Sequence, residues 1–184
     1  MSKTFSILLV CAACFSGCAY RMGAVERNLP GGYSQVAVPI FKNASYEPSI
    51  EVFFTNSLIR EFERSKVASV TDRSEAQVIL EGDISSVTYT HSNQSELIAP
   101  QGVVLTKTYL VNVTVNIRVV RASDRKILWN GSFRGESPYT APGVHMAGIN
   151  SVNPLYNLSA RRQTIEKISQ SLMAEAHDRI TENF

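Results

Sequence analysis

The chain has 184 residues, a formal net charge of +2 at pH 7 and 44% hydrophobic residues. Its length suits one domain with a substantial core. The nearly balanced charge excludes a strong global field for nucleic acid, although a local basic patch could still meet an anionic lipid headgroup.

The N-terminus has the pattern of a secretory signal that ends in a cysteine. Lys3 supplies positive charge, an apolar run covers residues 5–15, and Cys18 follows Gly17. The run is shorter than the roughly 20 residues of a membrane-spanning helix. This pattern resembles a bacterial lipobox, although Phe15 stands where leucine is usual. We therefore predict a signal peptide at 1–17 and an acylated Cys18, with an ordinary cleaved signal as the alternative.

Several acyl chains on one residue would anchor the protein stably in a membrane, because each methylene buried in the bilayer contributes about 0.8 kcal/mol to the free energy of membrane binding. Cys11 and Cys14 would leave with the signal. An acylated Cys18 would then leave no thiol for a disulfide or a thiolate metal site. Residues 18–32, with a Pro-Gly-Gly turn, are predicted to form a tether.

The first predicted elements after the tether are a strand and a helix. Residues 35–41 read as a strand, in which Pro39 marks its end or an unpaired edge. Residues 42–45 read as a loop, and Pro48 suits the first turn of a helix that ends near Ser65. Apolar residues at three- and four-residue steps predict the buried face of this helix: Ile50, Phe53, Phe54, Leu58 and Phe62.

The middle of the chain predicts strands. Residues 67–70 are either a strand or the approach to one at 78–90, and a polar loop follows at 91–102. Unbroken alternation at 109–119 is typical of an antiparallel strand whose second face meets solvent or a partner. After a turn at 121–126, alternation resumes at 127–135, although Asn-Gly at 130–131 could instead form a tight turn.

Residues 137–157 contain three prolines and no clear period, which predicts a long loop. A final helix is expected after a cap at Asn157 or Ser159. Its inward face would consist of Ile165, Ile168, Leu172, Ala176 and Ile180. Two helices and about four strands predict a single α+β domain at 33–184, in which a small, mostly antiparallel four-stranded sheet packs against two helices.

No motif for catalysis or phosphate binding occurs in the sequence. His91, His145 and His177 lack the spacing of metal ligands, and we predict that they are solvated. The sequence therefore predicts a protein that is not an enzyme and that holds no metal or cofactor.

The remaining candidates are basic side chains on a predicted surface. Arg118 and Arg134 share the polar face of the predicted hairpin, Lys107 stands at its start, and Arg121, Arg125 and Lys126 lie at its turn. Guanidinium groups bind phosphates in a bidentate manner. This face could hold a phosphorylated glycolipid head, or it could be a solvated face without a ligand.

Several segments resemble the lipopolysaccharide-assembly lipoprotein family LptE. They are Val-Ala-Val-Pro-Ile-Phe-Lys-Asn at 36–43, Tyr-Glu-Pro-Ser-Ile-Glu at 46–51, Ala-Gln-Val-Ile-Leu-Glu-Gly at 76–82 and Lys-Ile-Leu-Trp at 126–129. The first segment also resembles the opening strand of secretion-channel and Tol-associated periplasmic domains. A lipoprotein subunit of such an envelope machine is the alternative.

The LptE resemblance implies a lipid-anchored outer-membrane protein that faces the periplasm and the lumen of the LptD β-barrel. There it would act as a plug and assembly partner in lipopolysaccharide transport, and it would bind lipopolysaccharide without catalysing a reaction. Family members carry a basic residue in the loop between the second and third strands. Here residues 91–106 contain no lysine or arginine, so Lys107 is the nearest counterpart.

Overall fold

Two helices and seven strands make up the described part of the chain. The computed structural model describes residues 27–91, 104–146, 149–150 and 154–182. In chain order the elements are β1 (Gln35–Ala37), β2 (Lys42–Asn43), α1 (Glu51–Ser65), β3 (Ser69–Val70), β4 (Val78–His91), β5 (Val104–Arg121), β6 (Ile127–Met146), β7 (Ile149–Asn150) and α2 (Pro154–Thr181). The predicted α+β class is confirmed.

The sheet has more strands than predicted, and some of them are parallel. Its order is β3-β1-β4-β5-β6-β7, with β2 pairing β4 beyond the end of β1. β1 and β2 run parallel to β4, whereas β4, β5 and β6 form an antiparallel ladder. The predicted four-stranded sheet is therefore wrong in strand number and at its parallel edge. β1 lies in the strand predicted at 35–41, and β3 confirms the strand interpretation of 67–70. β2 and β7 lie in segments predicted as loops, because two residues carry too little alternation to be recognised from the sequence.

The predicted strand at 35–41 is divided by a local detour. β1 ends at Ala37, pairing resumes only at Lys42, and Phe41 between them is buried. The backbone N–H of Phe41 donates to Thr55 Oγ1 at 3.0 Å, which ties this detour to α1. The predicted loop at 42–45 accordingly begins two residues later, after β2.

Helix α1 begins later than predicted and ends where predicted. Pro48 lies in the turn before the helix, because Ser49 adopts a left-handed φ of 62° that helical backbone does not allow. At the C-terminus Lys66 has a φ of 58°, and its N–H donates to the carbonyl oxygen of Phe62 at 3.0 Å. The end of the helix at Ser65 is thus confirmed.

The long loop predicted at 137–157 is wrong. β6 continues to Met146, and α2 already begins at Pro154, before either predicted cap. Pro138 and Pro142 lie within β6, opposite Leu110 and Thr106 of β5. A proline is tolerated in a strand when its nitrogen faces away from the partner, and β6 is nearly an edge strand. The predicted loop at 91–102 lies almost entirely outside the described residues.

Both helices cover the same face of the sheet and run in the same direction. Ser57 Oγ lies 3.2 Å from Ser169 Oγ, and Ser65 Oγ lies 2.8 Å from His177 Nε2. Both contacts join residues that are 112 positions apart in the sequence. Residue numbers therefore increase in the same direction along both helices, which run parallel. Every residue of the predicted inward face of α2 is buried, as are alternate residues of β5. Burial of each such apolar side chain stabilises the fold by about 1.5–3 kcal/mol.

His177 is buried, with 2% of its surface exposed, so the prediction of a solvated histidine is wrong here. Its ring packs edge-on against Phe62 at a centroid distance of 4.9 Å. Burial lowers the pKa of His177, and the neighbouring Asp178 carboxylate, 3.5 Å away, acts in the opposite direction. The side chains of His91 and His145 lie outside the described part.

Protonation of His177 should weaken the fold. Since the pKa of His177 is lower in the folded state, the unfolded chain takes up the proton first as the pH falls. We expect the free energy of unfolding to decrease as the pH falls below the unfolded value of about 6.5. Urea denaturation at several pH values measures this slope, which His177→Gln should reduce. Equal slopes in both proteins would contradict the assignment.

A side chain at position 82 should be poorly tolerated. A Cβ on Gly82 would stand 2.2 Å from Cε2 of the buried Phe41. Overpacking of this kind typically costs about 1–3 kcal/mol. We expect Gly82→Ala to lower the free energy of unfolding by that amount in urea denaturation, whereas Thr88→Ala, on the exposed side of the same strand, should change it little.

Candidate functional site

The outer face is the side of β4, β5 and β6 opposite the helices, and no other described helix or strand covers it. The register sets Arg118 between Glu81 of β4 and Asn130 of β6, and it sets Arg134 opposite Thr114. Both arginines therefore share one face, as the alternation predicts. The same face also carries the amides and hydroxyls of Asn112, Thr114, Asn116, Asn130 and Ser132.

The carboxylate of Glu81 forms ion pairs with two of the predicted cations. Arg118 Nη2 lies 3.0 Å from Glu81 Oε2, and Arg125 Nη2 lies 2.6 Å from Glu81 Oε1. The hydrogen bond from Arg125 and the charges of Arg125, Arg118 and Arg73 lower the pKa of Glu81, against a smaller effect of burial. Glu81 therefore remains ionised and neutralises part of the local positive charge.

A cavity of about 500 Å³ opens on the outer face where the chain leaves β1 and rejoins β4 as β2. Its lining includes three cations, Lys42, Arg73 and Arg118, two carboxylates, Glu81 and Asp83, and the amide of Asn116. Ile40, 64% exposed, stands at its wall. Cations beside carboxylates and an amide can bind a phosphate and sugar hydroxyls together.

Lys42 and Arg73 are members of this cavity that sequence reasoning missed. Lys42 lies in β2 opposite Asp83, and Arg73 lies in the turn between β3 and β4. Only the parallel pairing of short strands brings them to Arg118. No periodic pattern in the sequence signals that pairing.

The other predicted cations are dispersed. Arg121 donates hydrogen bonds to Tyr33 Oη and to Asp124 Oδ2, each at 2.9 Å. Lys126 is exposed in the turn. Arg134 is four positions along the ladder from Arg118, about 13 Å. Lys107 lies in β5 at about 35 Å from Arg118, and its side chain is outside the described part. The six predicted residues do not form one site.

A second polar cluster lies at the opposite end of the sheet. Tyr89 Oη donates to Glu47 Oε1 at 2.6 Å, and Arg161 of α2 lies 3.5 Å from the same oxygen. Burial, followed by the hydrogen bond to Glu47, raises the pKa of Tyr89. Tyr139 packs edge-on against Tyr89 and stacks on Tyr109. This closed network fixes the first turns of α2 to the sheet.

Within the described ranges, no three or more histidine, cysteine, aspartate or glutamate side chains are grouped to hold a metal ion. None of the helices in that part of the chain has the length and apolar character needed to cross a membrane.

A sequence model of the family described as "LptE: Lipopolysaccharide-assembly" matches residues 33–183. Among individually characterised proteins, no sequence matches the chain significantly.

Several solved structures resemble the chain at low identity. A putative lipoprotein from Caulobacter crescentus CB15 is 11% identical with a TM-score of 0.49, covering 77% of this chain and 87% of its own. The PelC dodecamer from Paraburkholderia phytofirmans is 13% identical with a TM-score of 0.48, and the coverages are 83% and 90%. Lipoprotein GNA1162 from Neisseria meningitidis is 14% identical with a TM-score of 0.42, and the coverages are 73% and 99%. Similarities of this size carry no argument about function.

Proposed function

Because the chain belongs to the LptE lipopolysaccharide-assembly family, we propose that it is an outer-membrane lipoprotein that serves as plug and assembly partner of an LptD-like β-barrel. It would act in the transport of lipopolysaccharide to the outer leaflet, without catalysing a reaction. The observation that carries the proposal beyond the family is the polar face of the sheet that no described helix or strand covers, with a cavity at one end whose lining includes three cations.

The proposed anchor is Cys18, acylated after removal of residues 1–17. The described chain starts at one end of the domain, where Arg27 Nη1 lies 2.6 Å from Asp178 Oδ1 near the C-terminus of α2. Leu29, inside the predicted tether, is only 1% exposed, so packing onto the domain begins before residue 33. The bond between Tyr33 and Arg121 places the same end beside the β5–β6 turn. A lipid on Cys18 would therefore hold this end near the bilayer.

The plug role is supported by the composition of the outer face. Amides and hydroxyls dominate its centre, and Glu81 partly compensates its charges. Such a surface can contact a polar barrel lumen through direct or water-mediated hydrogen bonds. Most apolar side chains of the same strands are already covered by α1 and α2, and Ile79 is buried in a separate small cluster with Ala37 and Ala76.

Lipopolysaccharide binding is proposed for the cavity that contains Arg118. The side chain of Arg118 is 51% exposed despite its bond to Glu81, so it can reach a phosphate. Lys42 and Arg73 would contribute further positive charge from the lining of the same cavity. Arg134 would extend the contact along the outer face.

Reversing the charge of Arg118 and Arg134 together should weaken lipopolysaccharide binding. A hydrogen bond to a charged group contributes about 1.5–3 kcal/mol, so we expect the dissociation constant to rise at least about tenfold. Arg60→Glu with Arg64→Glu, an equal charge change on exposed positions of α1, serves as the control. Binding is measured by titration of purified lipopolysaccharide, and circular dichroism verifies folding. Unchanged binding would exclude the outer face as the binding surface.

The anchor and the partner are tested on the native protein. Mass spectrometry should find acyl groups on Cys18, and purification from detergent-solubilised membranes should recover one large β-barrel. Depletion should leave lipopolysaccharide scarce at the cell surface and the barrel misassembled. An unmodified thiol would contradict the anchor. Normal surface lipopolysaccharide, or recovery of a homo-oligomeric ring instead of a barrel, would contradict the function.

A further inference from the structure

One long edge of the sheet has no strand partner in the described part of the chain. β5 pairs with β6 from end to end, whereas β7 pairs with the other side of β6 only at His145 and Met146. Residues 127–144 therefore border no described strand on that side. An unpaired edge presents free backbone donors and acceptors, and proteins usually block such edges.

The prolines of β6 show which backbone groups point to the open edge. A proline nitrogen carries no hydrogen, so Pro138 and Pro142 cannot donate a hydrogen bond to β5. The backbone groups at these two positions therefore point away from β5. The direction alternates along a strand, so every second residue shares this orientation. The N–H and C=O groups of Asn130, Ser132, Arg134 and Glu136 therefore point to the open edge.

The two halves of this edge differ. The distal half is blocked by Pro138 and Pro142, which lack the donor, and by β7. The half at 130–136 contains no proline and keeps four outward N–H groups. Only this half can therefore support a continuous ladder of hydrogen bonds with another strand.

A cleft of about 280 Å³ opens beside this half, between β6 and α2. Its floor is apolar, formed by Ile168 and Leu172 of α2 and by Gly135. A Cβ on Gly135 would stand 2.9 Å from both α2 side chains, so the glycine keeps the helix close to the strand. The rim carries both signs of charge, from Arg134, Glu136, Lys167 and Glu175.

We propose that an extended segment of the partner barrel polypeptide adds to β6 as a further strand, opposite residues 130–136. Backbone hydrogen bonds would supply affinity, and one small apolar side chain of the segment would enter the cleft and supply specificity. A peptide fits this surface better than a phosphorylated lipid, because the cleft floor is apolar and its rim is mixed in charge. The inference rests on the proposed barrel partnership.

Residue-resolved hydrogen exchange of the full lipidated protein, alone and co-purified with the barrel, tests this contact. In the protein alone, the amides of Ser132 and Arg134 should exchange faster than those of Phe133 and Gly135, which face β5. In the complex, the outward amides should slow at least about tenfold. An intact complex in which they stay fast overturns the inference and leaves the proposed function standing, whereas failure to recover any barrel removes both.

Slow exchange of the outward amides in the protein alone would also overturn the inference. Light scattering then identifies the occupant: a dimer means a second copy of the chain, and a monomer means a segment of the same chain.

Ser132→Pro and Glu136→Pro, made singly, remove outward donors. Ser132→Ala and Glu136→Ala, the matched controls, keep the donors and lose the side chains. If the N–H groups point outward, each proline variant should retain the circular dichroism spectrum and melting temperature of its control. Recovery of the barrel should nevertheless fall at least about tenfold relative to that control. Equal recovery by folded proline and alanine variants overturns the inference, and so does unfolding of the proline variants, because it would mean that these groups face β5.

Discussion

The strict alternation of β5 is the constraint on which the other features depend. Its apolar residues from Val111 to Val119 are buried beneath the helices, and the residues between them face the opposite side. A slip of one residue would exchange the two faces, so the register is strongly specified. The same register that builds the core therefore also places Arg118 and the amides of the outer face.

Close packing of the helix layer depends on the absence of side chains at two points. Gly82 makes room for the Phe41 ring, which the detour between β1 and β2 brings inward, and Gly135 makes room for α2. The detour that brings Phe41 inward also leaves Ile40 exposed at the wall of the cavity on the outer face. The contact at Gly135 places α2 against β6, where the cleft beside the open edge forms. Packing on the inner side thus contributes to the shape of both candidate contact surfaces.

Two arginines at one end of the sheet share a single carboxylate. Glu81 accepts hydrogen bonds from Arg118 and Arg125, which reduces the net charge while leaving Arg118 exposed. A surface that is polar but nearly compensated is compatible with a barrel lumen, and its local cations can still bind a phosphate. In the proposed function the anchored end would lie at the bilayer, and the outer face would contact the barrel lumen and, at its cavity, lipopolysaccharide. The β6 edge would pair with a segment of the barrel polypeptide.

The sequence by itself determined the features that depend on local periodicity or on motifs. These are the end of α1, the inward face of α2, the strands β4 and β5, the sharing of one face by Arg118 and Arg134, and membership of the family. Only the tertiary structure decided which strands pair, and therefore that Lys42 and Arg73 join Arg118 at one cavity. It also decided that β6 passes through Pro138, which is possible only at an edge, and that His177 is buried between the helices. The physical reason is that periodicity in the sequence indicates which face of a helix or strand is buried. Which elements become its neighbours depends on contacts between residues that are distant in the chain.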